Sequence, residues 1–205
     1  RRPSLAGGML GLAVLTRETA LLVAAGFGCA WLLEIIKKEE DVPPSRIWIF
    51  PLAVYLLWHG LLQFWVVHGS IGQAASEKMG WPLTGLIQSL WKNASTPTPD
   101  HLFYLFFIFA TLVWQFFVAA TARRRNDPLY FGWILYGVLL SVVGRDIWDN
   151  SPGLLRIAAE WNVLGFLLVA ASGHVRWKTI AAAWSSCWFL SAVGEWYHYY
   201  RLMNF

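Results

Sequence analysis

Charge is what this sequence has least of. Only 14% of its residues are Asp, Glu, Lys or Arg, while 57% are hydrophobic and the mean hydropathy is +0.47. A soluble domain carries about a quarter charged residues, so this balance argues against an ordinary soluble fold. Cysteine is nearly missing: the two present, Cys29 and Cys187, each lie inside an apolar run. They spell out no disulfide framework and no metal spacing, and read as small core residues rather than redox groups. His59, His68, His101, His174 and His198 show no metal-ligand spacing; a hydrogen-bonded His59, with Gln63 four residues on, fits a buried position. No HExxH, Walker loop, GxSxG or GxGxxG stands in a supporting context. Period-two alternation is also missing, which argues against a membrane barrel. The +4 net charge reads as membrane topology rather than nucleic-acid binding.

What is there is a series of continuous apolar runs, many near the length of a bilayer crossing. In lipid the backbone must satisfy its own hydrogen bonds, so the runs are expected to be helices. About seven segments can be drawn over residues 1–205 as a single domain: Ser4 to Leu15, Thr19 to Ile36, Ile47 to Val67, Leu102 to Ala122, Leu129 to Gly144, Leu154 to Ser172 and Thr179 to Trp196. The expected fold is an all-α, polytopic transmembrane bundle. With Arg1 and Arg2 inside, two short crossings return the chain inside at Lys37 and Lys38. The next pairs of crossings return it at Arg123-Arg124-Arg125 and near Arg176 and Lys178, so the basic clusters of the short loops fall on one side, as the positive-inside rule requires. Residues 4–36 leave an alternative open, one long bent crossing. The chain opens Arg1-Arg2-Pro3 and is expected to be the C-terminal part of a longer protein.

Tryptophan is abundant, with 14 residues. Trp48, Trp65, Trp133, Trp148, Trp177 and Trp196 fall near run ends, where amphipathic rings settle at headgroup level. Residues 68–101 form the longest gap and are expected on the outer face. Within it, apolar residues at 83, 86, 87, 90 and 91 follow helical spacing. Pro82 suits a first helical turn, so an interfacial helix is expected. Ser95 to Asp100 reads as a loop, and Asn93-Ala94-Ser95 is a glycosylation sequon.

The outer side of this drawing collects ionisable groups that insertion rules do not explain. Arg17 and Glu18 interrupt two apolar runs where a turn would more often use Gly, Asn, Ser or Pro. The pair reads either as an anion ligand with an acid or base beside it, or as a snorkelling arginine with a capping glutamate. Arg145, Asp146 and Asp149 follow the fifth run, and Arg156 and Glu160 open the sixth on one helix face. A cation early in a helix is poorly placed against the dipole unless it holds a phosphate, which a helix N-terminus also favours. The other reading of Arg156 is an ion pair with Glu160, Asp146 or Asp149.

Gly11-Leu12-Ala13-Val14-Leu15-Thr16-Arg17-Glu18-Thr19-Ala20-Leu21-Leu22 resembles the GLA-x-LTRE stretch of polytopic GT-C type glycosyltransferases. The course through Pro51 to Trp58, Gly69 to Gly72 and Trp81-Pro82-Leu83 is similar to the same group, as is Arg156 at the start of an outer-side helix. The resemblance covers roughly residues 7–172 and is loose. It implies a membrane transferase that takes a sugar from a polyprenyl-phosphate donor and passes it to a sugar or lipid acceptor on the outer face. Arg17 and Arg156 would bind the lipid phosphate and Glu18 would support the site. The clustering argument adds Arg145 as a phosphate ligand and Asp146 as a second catalytic candidate. In that family an acidic residue of the first outer loop acts as general base or metal ligand. No such loop is present here, so the acid is expected upstream, and a divalent metal ion stays open. The competing readings are a transporter or flippase-like protein, whose mark would be internal repeats and broken helices, and a noncatalytic membrane subunit. A bacterial inner membrane is the expected location.

Overall fold

The computed structural model describes residues 3–16, 18–38, 44–65, 80–96, 98–121, 127–149, 151–171, 176, 178–186, 188–189 and 193. Among these the chain is all-α. The α-helices are α1 (Pro3–Thr16), α2 (Leu21–Ile36), α3 (Arg46–Trp65), α4 (Thr84–Ser95), α5 (Pro99–Thr121), α6 (Pro128–Val142), α7 (Arg145–Trp148) and α8 (Ser151–Ala171), with a 3₁₀ turn at Glu18–Ala20. The apolar runs became the helices, with boundaries within a few residues of those expected. The seventh run is described only in part and is helical at residues 179–186.

Helix length does not show all the expected crossings. Among the described residues one stretch, Tyr104–Thr121 in α5, is long and apolar enough to span a membrane, with 18 residues and mean hydropathy 1.8. Helices α1, α2 and α6 have 14, 16 and 15 residues. At 1.5 Å per residue they reach about 21 to 24 Å, short of a hydrocarbon layer about 30 Å thick.

The chain divides into two compact units, Arg1–Ser76 with Arg124–Gly137, and Glu77–Arg123 with Val138–Phe205. In the first, α3 is flanked by α1 and α2. A Cβ on Gly7 would lie 3.1 Å from the Arg46 carbonyl oxygen, and one on Gly11 would lie 3.0 Å from the Phe50 ring, so α1 runs parallel to α3. A Cβ on Gly28 would lie 3.5 Å from the Trp48 ring, and the rings of Trp31 and Trp48 are 5.5 Å apart. Both α1 and α2 therefore meet the first two turns of α3, which requires the chain to reverse between them. This settles the alternative left by the sequence: residues 4–36 are two antiparallel helices. Residues 128–137 of α6 pack on α2, with Gly26 against Gly132 and the Tyr136 hydroxyl donating to the Thr19 carbonyl at 2.7 Å. Gly26 and Thr19 run down α2 as Gly132 and Tyr136 run up α6, so these two are also antiparallel.

In the second unit α5 and α8 lie side by side and parallel. Gln115 donates to the Asn162 side-chain oxygen at 2.9 Å, and one turn further on Gly165 admits Val118. The buried face of α5 is mainly apolar but admits two polar side chains, and its exposed face is apolar too. On α5 the buried face holds Thr111 and Gln115 beside Ile108, Trp114 and Val118, while Leu102, Phe106, Phe109, Val113 and Phe116 form one exposed stripe. The last described segment joins this core through Trp184, stacked on Trp114 with ring centres 5.8 Å apart.

Two local expectations are corrected. Pro82 does not open a helix. Trp81 to Thr84 form a β-turn in which the Thr84 N–H donates to the Trp81 carbonyl. Proline at the second position fits that turn, and Leu83 takes φ 64° at the third, where a type II turn usually has Gly. Helix α4 starts only afterwards. The loop expected over Ser95 to Asp100 is shorter, because Ser95 ends α4 and Pro99 opens α5. Pro99 takes the first helical position, where its missing N–H costs nothing.

Candidate functional site

The Thr16–Ala20 segment is placed by its flanks. Helix α1 ends at Thr16, a single 3₁₀ turn covers Glu18–Ala20, and α2 begins at Leu21 with no side-chain cap. The orphan N–H groups of a helix start and the orphan carbonyls of a helix end therefore meet around the Arg-Glu pair. Within the 3₁₀ turn the Thr19 carbonyl accepts from the buried Tyr136 hydroxyl, a long-range contact that fixes the break in place. Arg17 lies outside the described residues, as does the side chain of Glu18.

The second cluster forms where α6 ends. Gly144 in extended conformation caps α7, whose last turn closes on Asp149. The N-terminus of α4 packs on this corner through Gly85, where an added Cβ would overlap the Val143 carbonyl oxygen and come within 2.9 Å of the Arg145 nitrogen. That close approach brings Lys92, two turns along α4, over Asp149. One carboxylate oxygen of Asp149 then accepts from Lys92 Nζ at 2.8 Å and from Arg145 Nε at 2.9 Å. Partial burial pushes the Asp149 carboxyl up. Hydrogen bonds from Lys92, Ser89 and Arg145, with the Lys92 charge, outweigh it and hold the group below the usual carboxylate value. Lys92 and Arg145 are 47% and 45% exposed and Asp149 only 16%, so each cation keeps donors free for another acceptor.

The sequence reading placed Arg145 and Asp149 in one cluster, and the structure joins them directly. Asp146 follows Arg145 on α7 and Arg156 lies in the second turn of α8, as expected from the run, but both side chains lie outside the described residues. Lys92 was missed. Its signal was Ser89, Lys92 and Asn93 at helical spacing within an otherwise apolar stretch, which marks a polar face that must meet something. The Gln115–Asn162 pair was also missed, although isolated amides in apolar helices are a recognisable cue for helix association. Asn93 of the sequon is 5% exposed and donates to the Ser89 carbonyl at 2.8 Å, so the folded chain does not present it for glycosylation. The His59 ring lies tilted against Tyr55 with ring centres 4.6 Å apart, a packing contact.

A cavity lined by Thr111, Leu140, Trp148, Ala158 and Trp161 has a free volume of about 10 Å³. That is room for about one water and far too little for a sugar. Among the described residues no group of three or more His, Cys, Asp or Glu is placed to hold a metal ion. No protein-family model matches the sequence, and no curated protein or solved structure matches it either.

Proposed function

We propose that this chain is the membrane-embedded part of a glycosyltransferase that moves a sugar from a polyprenyl-phosphate donor to an acceptor at the outer face of a bacterial inner membrane. The observation that carries the reading is the break at Thr16–Ala20. The stretch that resembles the GT-C type transferases is the place where the chain reverses between two apolar helices. An arginine and a glutamate at such a reversal stand at a helix end rather than in mid-helix, where a charge in lipid would cost about 2.5–3.5 kcal/mol. Two further features support the lipid setting that this reading requires. The exposed stripe of α5 is apolar while its buried face carries Thr111 and Gln115, and basic residues Lys37, Lys38 and Arg46 share one end of the α2–α3 pair.

In this reading Arg17 and Arg156 hold the donor phosphate. Cleavage of the sugar–phosphate bond leaves negative charge on that phosphate, and arginines already in place stabilise it more in the transition state than in the ground state. Glu18 and Asp146 are the acid–base candidates of this chain. The described residues offer no ligand set for a divalent ion, so no step is assigned to one.

The test is transfer of radiolabelled sugar from a polyprenyl-phosphate donor in membranes carrying the full-length protein. Removing one transition-state contact to developing charge costs about 10²–10³ in rate, so Arg17→Ala and Arg156→Ala should each lose transfer on that scale at unchanged expression. Normal transfer by both variants would overturn the assignment.

A further inference from the structure

Helix α4 leaves large apolar residues on the side that faces away from the protein. Its buried face is Gly85, Leu86, Ser89 and Asn93. Facing away are Ile87, Gln88 and Trp91, with Ile87 and Trp91 61% and 77% exposed, and Trp81 of the preceding turn at 83%. A helix lying on top of the molecule would present charge to water there. Two tryptophans and an isoleucine instead match the boundary between headgroups and acyl chains, where amphipathic rings are favoured. Lys92 projects from the flank of the same helix, between the buried and apolar faces, and reaches Asp149 together with Arg145. Two cations thus share one carboxylate oxygen, and the second charge is left uncompensated within the triad. Asp146, next to Arg145, is the other acid of this corner, and its side chain lies outside the described residues. Cations beside outward-facing tryptophans form the pattern that meets an anionic lipid surface.

We infer that Lys92 and Arg145 bind the phosphate of an anionic phospholipid of the surrounding bilayer, with Trp81, Ile87 and Trp91 against its acyl chains. The site anchors the rim of the second unit at headgroup level. Asp149 is its positioning residue: it holds both cations side by side and leaves their remaining donors free. The inference requires no catalysis and stands or falls apart from the transferase reading.

The experiment uses the whole chain in nanodiscs of phosphatidylcholine containing a minor fraction of phosphatidylglycerol, with retained lipid counted by native mass spectrometry. Retention of phosphatidylglycerol over phosphatidylcholine is expected for the unaltered chain. Lys92→Gln, which leaves the Arg145–Asp149 pair in place, should reduce that preference by about fivefold, the worth of one cation at a membrane surface. Lys92→Arg should keep it. Trp91→Ala should lower retention of both lipids alike. A merely structural ion pair would shift melting in Lys92→Gln and leave lipid preference unchanged, and that result overturns the inference. So does displacement of phosphatidylglycerol by millimolar inorganic phosphate, which would mark a site for soluble phosphate. Retention of polyprenyl phosphate without phosphatidylglycerol overturns it too, because the pocket would then belong to the donor.

Discussion

Asp149 concentrates most of what a single residue does in this molecule. Its carboxyl is held below the ordinary value, so folding favours the ionised form. The stability this contributes is present at every pH above the ordinary aspartate value of about 3.9 and is lost as pH falls through the lower value of the folded state. Its partners are half exposed, which limits the pairs to about 1 kcal/mol in total. Melting in detergent should therefore show Asp149→Asn less stable than the unaltered chain at pH 7, with the two curves converging as pH falls below the ordinary aspartate value. A gap that persists undiminished in acid would mean that packing rather than charge sets the contribution of Asp149. None of this was legible in the sequence beyond the grouping of Arg145 with Asp149, because Lys92 is 57 positions away from Asp149 and only the docking of α4 brings them together. Leu83 shows the same limit from the other side. Proline before it signalled a structural start correctly, but the choice between first helical turn and β-turn depended on a positive φ that a leucine gives no reason to expect.

At the scale of the element, small residues decide which helices touch. The helices themselves were readable because long continuous apolar runs without period-two alternation fit helices and not strands. Which face each would bury was not, since α4 and α5 carry apolar residues on both faces and place polar side chains among the buried ones. The glycines carry that missing information. A Cβ on Gly26 would stand 2.5 Å from the Gly132 nitrogen and the Pro128 carbonyl oxygen, backbone atoms that cannot rotate away, whereas a Cβ on Gly8 would meet nothing within 4 Å. Gly26→Ala should therefore cost about 1–3 kcal/mol as an overpacked contact. Gly8→Ala should be neutral or stabilise by about 0.5–1 kcal/mol, the helix propensity gained. Melting temperatures of the two variants in the same detergent decide the matter. Equal shifts would show that α2 and α6 do not meet through Gly26.

For the whole molecule the transferase reading requires membrane crossings, and the first unit supplies a way to test them. Within it α2 and α6 are antiparallel, through Gly26 against Gly132 and Tyr136 against Thr19. The end of α2 at Lys37 and Lys38 and the start of α6 after Asp127 therefore lie at one end of that unit, the end that holds Arg46. Segregated basic residues orient a chain in a bilayer, so the transferase reading requires this to be the inner end. The same reading has α3 cross and residues 68–101, with Thr96, at the outer face. The measurement is labelling of single cysteines by a membrane-impermeant maleimide in intact cells and in inverted vesicles, after Cys29 and Cys187 are replaced by Ala. Lys38→Cys and Asp127→Cys should react only in inverted vesicles, and Thr96→Cys only in intact cells. Reaction of Lys38→Cys and Thr96→Cys from the same side would mean that α3 does not cross. The arginine and glutamate at the Thr16–Ala20 break would then lack the outer-face position that the transferase reading requires.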